Sequence, residues 1–291
     1  MDINSDTKLY CLIGHPISKS LSPYIHNFSF NKNNINAKYL AFEVDKYKLK
    51  DCISGIKALD IKGFNVTIPH KVDIINYLDD ISEEAKLIGA VNTVKNVNGK
   101  LIGYNTDGLG FIKSLYDKKI DLEGKNVLIL GSGGASRAIS MMLAKEGVRK
   151  IHILNRTIDK AKKLINDIKK NFPKIEYSYS NLAEFNINNQ QDIDIIINCT
   201  SVGMYPDENE IPLDIKFINQ NTIVYDIIYK PLKTKFLKKA EEKGCLIING
   251  LKMLIYQALI SEEIWLNKKL DLENIVMALE KQDFLLKNRN Y

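Results

Sequence analysis

Residues 127–139, VLILGSGGASRAI, decide how the rest of the chain is read. Four apolar residues with strand character run straight into Gly131, Ser132, Gly133, Gly134 and Ala135, and a helical pattern follows. Glycines permit the tight turn between strand and helix and let a phosphate approach the backbone, where the N–H groups that open the helix face the anion. A glycine-rich loop alone is a weak signal, and Ser136 fills the position of the third glycine in GxGxxG. The context strengthens it: a strand before, a helix after, and a strand again at KIHILNR, 150–156. The competing reading is a glycine-rich turn that holds nothing.

The end of that next strand sharpens the expectation. In NAD-binding units an Asp or Glu about 20 residues past the glycines accepts hydrogen bonds from the ribose hydroxyls. Here IHIL ends in Asn155, Arg156 and Thr157, with Lys160 one turn on. A carboxylate would repel a 2′-phosphate, whereas Arg156 can hold one by charge-assisted hydrogen bonds. NADP is therefore expected rather than NAD, against the plainer reading of Arg156 as a solvated loop residue.

Outward from the glycine loop, short β-rich runs alternate with amphipathic ones. KLYCLIG reads as a strand, SPYIHNFSFNKNN as a helix, AKYLAFEV as a strand, KLKDCISGIKAL as a helix and GFNVTI as a strand, before a helical KVDIINYLDDISEEAKLIG. A second series starts at the glycine loop and continues through TIDKAKKLINDIKK, DIDIIINCTS, NTIVYDIIY and CLIING. Such repetition means crossover units and largely parallel sheets. The expected fold is a two-domain α/β protein. Residues 1–107, completed by C-terminal helices over 252–291, form one α/β domain, and residues 108–251 form a Rossmann-type domain, with a ligand cleft between them.

Composition agrees with a globular chain of this size. Of 291 residues, 45% are hydrophobic and 26% charged, and the net charge of +6 is spread rather than clustered. No basic stripe with interleaved aromatics suggests nucleic acid, and no apolar run approaches the ~20 residues of a membrane helix. The N-terminus has no secretory pattern. The four cysteines are far apart, with no CxxC and no metal-ligand spacing, so reduced thiols in a cytoplasmic protein and no metal are expected.

Eight stretches, in this order, carry a resemblance: GHPISKSLSPYIHN, GFNVTIPHK, GAVNT, GYNTDGLG, GSGGAS, NRT, INCTSVGM and GLKMLIYQA. Along nearly its whole length the chain resembles the shikimate dehydrogenase family. The resemblance implies reversible NADPH-dependent reduction of 3-dehydroshikimate to shikimate, in aromatic amino-acid biosynthesis, by a substrate domain and a Rossmann domain. It places the family's catalytic lysine on Lys71 and the partner carboxylate on Asp107. Ser20 and Ser22 match residues that bind the substrate carboxylate. Thr67, Asn92, Asp107 and Gln257 match residues that hold ring hydroxyls, with Tyr229 beside them. On the cofactor side the matches are Gly131, Ser132, Gly133, Gly134 and Ala135, then Asn155, Arg156, Thr157 and Lys160, and Ile227 and Gly250.

The residues have readings of their own. Ser20 and Ser22 share a side of an extended loop and can donate to one carboxylate, although Ser22-Pro23 by itself reads first as a helix start. Thr67 and Lys71 flank Pro69 at a strand end, where open α/β sheets bind ligands. Asn92 can donate and accept, or simply turn the chain, and Gln257 by pattern alone lies on a solvated helix face. Four positions depart from the family pattern: Ser132 and Cys199 stand for Ala, His70 precedes the lysine, and Lys160 replaces a second arginine. Lysine lacks the planar fork of arginine, so the preference for NADP is expected to be weaker than in a typical member.

With no metal site evident, a side chain must move the proton. A free lysine is only about 0.04% neutral at pH 7, so reduction is the direct role, with Lys71 donating its proton and Asp107 orienting it. Oxidation should speed up well above neutral pH. Three alternatives compete. A quinate/shikimate dehydrogenase of broader substrate and cofactor range would tend to have Ser at position 67 and an acidic residue after the second Rossmann strand. A non-catalytic NADP-binding sensor would not need Lys71 and Asp107. A methylenetetrahydrofolate dehydrogenase-like enzyme leaves the double-serine loop unexplained. A small-molecule substrate and a monomer or homodimer are expected.

Overall fold

The computed structural model describes residues 3–182, 185 and 193–281. The last ten residues of the helical region expected over 252–291 lie outside the described residues, as do 1–2, 183–184 and 186–192. The chain divides into two compact units: residues 1–110 with 255–291, and residues 111–254.

The first unit is a sheet with helices on its faces. Its elements are β1 (Lys8–Gly14), α1 (Ser22–Lys32), β2 (Ala37–Glu43), α2 (Leu49–Ala58), β3 (Gly63–Val66), β4 (Asp80–Ile81), α3 (Glu83–Ile88), β5 (Thr93–Val97) and β6 (Lys100–Tyr104). The strand order is β2-β1-β3-β5-β6-β4. Alternation along β1 sends Cys11 and Ile13 to a core with Ile53, Phe64 and Ile74, and Tyr10 and Leu12 to another with Phe30, Tyr39 and Trp265. Trp265 stacks on Tyr10 at 4.9 Å and donates its indole N–H to the Val94 carbonyl at 2.9 Å. A side chain at Gly63 would overlap that indole.

Two features differ from the sequence expectation. One strand departs from the largely parallel order, because β5 runs antiparallel to both β3 and β6. The cause is local: Asn98 and Gly99 both take positive φ, 53° and 86°, the backbone of the two-residue hairpin turn that Asn-Gly favours. Residues 71–89 also do not form one helix. They make a short 3-10 turn over Asp73–Tyr77, then β4, then α3. Asp79 holds the Leu101 N–H with its carboxylate at 2.7 Å and so draws the segment onto the sheet. Ser82 then starts a new helix by accepting from the Ala85 N–H.

The second unit carries β7 (Asn126–Leu130), α5 (Gly134–Lys145), β8 (Lys150–Leu154), α6 (Ile158–Lys169), β9 (Glu176–Ser180), β10 (Ile195–Asn198), β11 (Ile223–Asp226), α7 (Lys235–Glu242) and β12 (Leu246–Asn249). Its order, β12-β11-β10-β7-β8-β9, is parallel throughout. Every residue of β7 and β10 is buried, as strands covered on both faces require. Helix α6 buries Ala161, Leu164, Ile165 and Ile168, one stripe of helical period. Strand order reverses between β7 and β10, so the loops leaving these strands diverge there, and open α/β sheets bind ligands at such a point. Helix α4 (Asp107–Tyr116) and helix α8 (Leu251–Leu266) contain the two unit boundaries, and α9 (Leu272–Lys281) completes the described chain.

Candidate active site

Lys71 is held at the backbone before its side chain is considered. Strand β3 stops at Val66, and the turn after it is closed by His70 N–H donating to the Thr67 carbonyl. Fully buried His70 anchors this turn through a 2.7 Å contact between Nε2 and the Val44 carbonyl. The Lys71 carbonyl in turn accepts from Val91 N–H at 2.8 Å. From this base, Lys71 Nζ donates to Asp107 Oδ2 at 2.6 Å. The side chains of Lys71 and Asp107 are 22% and 11% exposed, so both remain within reach of a ligand. Asp107 opens α4, where the helix dipole favours a carboxylate.

The other oxygen of Asp107 is fixed as well. Asn92 Nδ2 donates to Asp107 Oδ1 at 2.8 Å and to Thr106 Oγ1 at 2.9 Å, with Gln257 Oε1 3.3 Å from the same nitrogen. Which way the amide faces is not free. Thr106 N–H can only donate, and it lies 2.8 Å from Asn92 Oδ1, so Nδ2 must turn toward the carboxylate. Asp107 is thereby clamped by Lys71 at one oxygen and by Asn92 at the other. Gln257, on α8, completes the ring of polar groups.

Ser20 and Ser22 hydrogen-bond each other, Oγ to Oγ at 3.2 Å. Helix α1 has Leu21 at its cap position and no side-chain bond from it, while Ser20 Oγ accepts from the N–H of Ser22, the first residue of the helix, at 3.3 Å. Thr67 sits on the same turn as Lys71, with its methyl so close to Gly14 that a side chain there would overlap it.

In the second unit the glycine loop leaves β7 at the switch point. Gly131 has φ of 100°, and a Cβ there would stand 3.0 Å from Thr200 Cγ2 and 3.4 Å from the Cys199 carbonyl oxygen, so the β7 and β10 loops pass closely. Gly133 and Gly134 are exposed, and a Cβ on either would project into open space. Gly133 is the cap residue of α5 and supplies no side-chain bond to its N–H groups, while Ser136 Oγ turns back to the Gly131 carbonyl at 2.8 Å. This bare cradle over a helix N-terminus fits a diphosphate, and Ser132 and Ala135 are small enough to border it. At the end of β8, Asn155 Nδ2 donates to the Thr157 carbonyl at 2.8 Å. Arg156 and Lys160 are exposed beside it, cationic as a 2′-phosphate requires.

Ile227 and Gly250 are brought together: a Cβ on Gly250 would overlap the Ile227 carbonyl. Their strand ends are organised by Asp226, a fully buried carboxylate that the sequence reading passed over. Asp226 accepts from Asn198 Nδ2 at 3.0 Å, Ile228 N–H at 3.1 Å and Thr234 Oγ1 at 2.7 Å. Burial raises its pKa to about 6 despite these bonds. Tyr229 lies three residues on, its phenol also raised by burial. Also unread in the sequence were Asn65, Thr93, Thr106 and Ser261, which surround Asn92. A polar Asn65 inside the otherwise apolar run of GFNV was the available signal. Among the described residues no cluster of His, Cys, Asp and Glu could hold a metal, and no helix is long and apolar enough to cross a membrane.

Known proteins match both units. The shikimate dehydrogenase substrate binding domain matches residues 12–94, and the shikimate / quinate 5-dehydrogenase domain matches 114–225. A shikimate dehydrogenase (NADP(+)) of Caldanaerobacter subterraneus is 48% identical over 271 residues, 93% of this chain and 96% of its own. A crystal structure of a shikimate dehydrogenase in complex with NADP+ is similar with a TM-score of 0.89 at 42% identity, covering 97% of each chain. A ligand-free 5-ketofructose reductase of a Gluconobacter species is similar with a TM-score of 0.85 at 36% identity, covering 96% of this chain and 99% of its own. With relatives this close along nearly its full length, the chain belongs to the shikimate dehydrogenase family.

Proposed function

We propose that this protein is an NADP-dependent shikimate dehydrogenase, an oxidoreductase that interconverts 3-dehydroshikimate and shikimate in aromatic amino-acid biosynthesis. The observation that carries this reading is the Lys71–Asp107 pair, 2.6 Å apart and clamped by Asn92. Bound NADPH supplies the hydride. Lys71 Nζ donates the proton to the carbonyl oxygen of the substrate in reduction and takes it back in oxidation. Asp107, held at both oxygens, keeps Lys71 in place without rearranging and accepts from a ring hydroxyl. Asn92, Gln257 and Thr67 bind the remaining hydroxyls, and the hydroxyls of Ser20 and Ser22 donate to the substrate carboxylate. The unit holding residues 1–110 and 255–291 is thus the substrate domain.

The other unit holds the cofactor. Gly131, Ser132, Gly133, Gly134 and Ala135 receive the diphosphate. Asn155, Arg156, Thr157 and Lys160 receive the adenosine end with its 2′-phosphate, and Ile227 and Gly250 flank the nicotinamide end. The enzyme works as a monomer or homodimer in the cytoplasm, a reducing compartment that suits its four free thiols.

The test follows absorbance of the reduced nicotinamide with shikimate and NADP, then with NAD, with quinate, and with 5-ketofructose plus NADPH. Turnover confined to shikimate with NADP supports the reading. Equal rates with quinate or NAD would make the protein a broader quinate/shikimate dehydrogenase. The likeness to the reductase of a ketose, which has no carboxylate, favours including the sugar: turnover of it alone would reassign the serine pair.

A further inference from the structure

Behind Asn92 lies a set of buried hydroxyls with no direct part in the chemistry. Ser261 and Thr93 are both fully buried. Ser261 Oγ is 2.7 Å from Thr93 Oγ1, 3.2 Å from Thr106 Oγ1 and 3.1 Å from Asn65 Nδ2, and it donates to the Gln257 carbonyl at 2.8 Å. Thr93 Oγ1 lies 3.0 Å from Asn92 Oδ1. Asn65 Nδ2 also reaches the Asn92 carbonyl at 3.1 Å, and its own oxygen is held by Tyr39 Oη at 2.7 Å.

Ser261 stands one helical turn after Gln257 on α8. It is therefore the tie nearest Gln257 between this helix and β5, which starts directly after Asn92. Proton counting shows how tightly. With its one proton on the Gln257 carbonyl, Ser261 can only accept from its other neighbours: Thr93 Oγ1 at 2.7 Å, Asn65 Nδ2, which is shared with Thr93 Oγ1 at 3.0 Å, and Thr106 Oγ1 at 3.2 Å. The Thr93 hydroxyl is placed to donate to Asn92 Oδ1 as well as to Ser261, so removing the Ser261 hydroxyl commits its proton to Asn92 Oδ1, the atom whose bond to Thr106 N–H sets the direction of the amide.

We infer that Ser261, acting through Thr93, is a positioning residue for the Lys71–Asp107 pair: it fixes the Asn92 amide, and Gln257 against it, in the place from which Asn92 holds Asp107. The inference rests on the acid–base reading of that pair given above. Ser261 touches neither substrate nor cofactor in this account, and its effect reaches the reaction only through Asn92 and Gln257.

The test compares Ser261→Ala, Thr93→Val and Thr93→Ser in the full chain. Thr93→Val keeps the shape and removes the hydroxyl, whereas Thr93→Ser keeps the hydroxyl. For the first two, kcat for shikimate oxidation should fall about tenfold, since small misplacement of catalytic groups costs one to two powers of ten. KM for NADP should stay unchanged, and Thr93→Ser should retain wild-type kcat. A second readout needs no turnover: acylation of Lys71 by acetic anhydride at fixed pH, followed by peptide mass spectrometry with Lys46 as reference. Ser261→Ala and Thr93→Val should label several-fold faster as Asp107 loosens its hold on the ammonium. Melting temperatures separate positioning from stability alone, which would lower Tm and leave kcat per folded enzyme and labelling unchanged. That last pattern overturns the inference. If wild-type protein does not turn over shikimate, the functional reading fails by itself, and the labelling comparison still decides the role of Ser261.

Discussion

The two candidate sites are built by opposite means. The substrate side is crowded with side chains: Asp107 is gripped at both oxygens by Lys71 and Asn92, and Asn65, Thr93, Thr106 and Ser261 bond one another and Asn92 behind it. The nucleotide side works by leaving side chains out. Gly133 and Gly134 face open space over a helix end, and Gly250 is pressed against a carbonyl that no Cβ could share. A site that must steer a proton needs groups fixed by many short-range bonds. A site that must admit a diphosphate needs backbone N–H groups and room.

This difference yields sharp contrasts under substitution. The largest effect on stability is expected for Gly250→Ala, because its methyl would collide with the Ile227 carbonyl. Backbone must move, so a loss of about 3 kcal/mol or more is expected, measured by urea unfolding. Gly133→Ala, with nothing near its Cβ, should melt like wild type and weaken only NADP binding. If both variants lose stability equally, the idea of a cradle left bare for the ligand is wrong.

Next in size, Ser22→Ala should raise KM for shikimate some ten- to a hundredfold, the scale of one hydrogen bond to a charged group, with kcat little changed. A fall in kcat at unchanged KM would instead place the serines with the proton machinery. Within the nucleotide unit, His152 is buried between Ser178 and Ser180, and burial, aided by the charge of Lys150, lowers its pKa from 6.5 to about 4. The unfolded chain therefore binds the proton first. Stability is full above about pH 6.5 and falls as pH drops toward 4, by roughly 2 kcal/mol between pH 6.5 and 5. Replacement by Asn should flatten that part of the pH dependence, as read by urea unfolding at several pH values. The smallest effect belongs to exposed Arg156: its replacement by Ala should raise KM for NADP about fivefold and leave NAD and the melting temperature untouched.

How much of each site was legible follows from the same contrast. The glycine loop is contiguous, so a strand, three glycines and a helix could be read in one pass, and Arg156 follows at a fixed distance. The substrate side gathers Lys71, Asn92, Asp107 and Gln257 from separate elements, and nothing local to Gln257 distinguishes it from a solvated helix residue. Only the resemblance to the family linked them. The buried hydroxyls were invisible for a related reason: Thr93 and Ser261 are 168 positions apart, and each alone is an ordinary polar residue. In the fold, the turn at Asn98-Gly99 was a readable hairpin signal. The break of residues 71–89 was harder, because it depends on Asp79 reaching Leu101 on another strand.

The central claim is that Lys71, clamped through Asp107, carries the proton. It is tested most directly by the rate of NADPH formation from shikimate and NADP with Lys71→Ala, beside a measurement of NADP binding. The account predicts a kcat lower by on the order of a thousandfold with NADP affinity and fold intact. A variant that keeps wild-type kcat while binding shikimate more weakly would contradict it, and would leave Lys71 as a binding residue only.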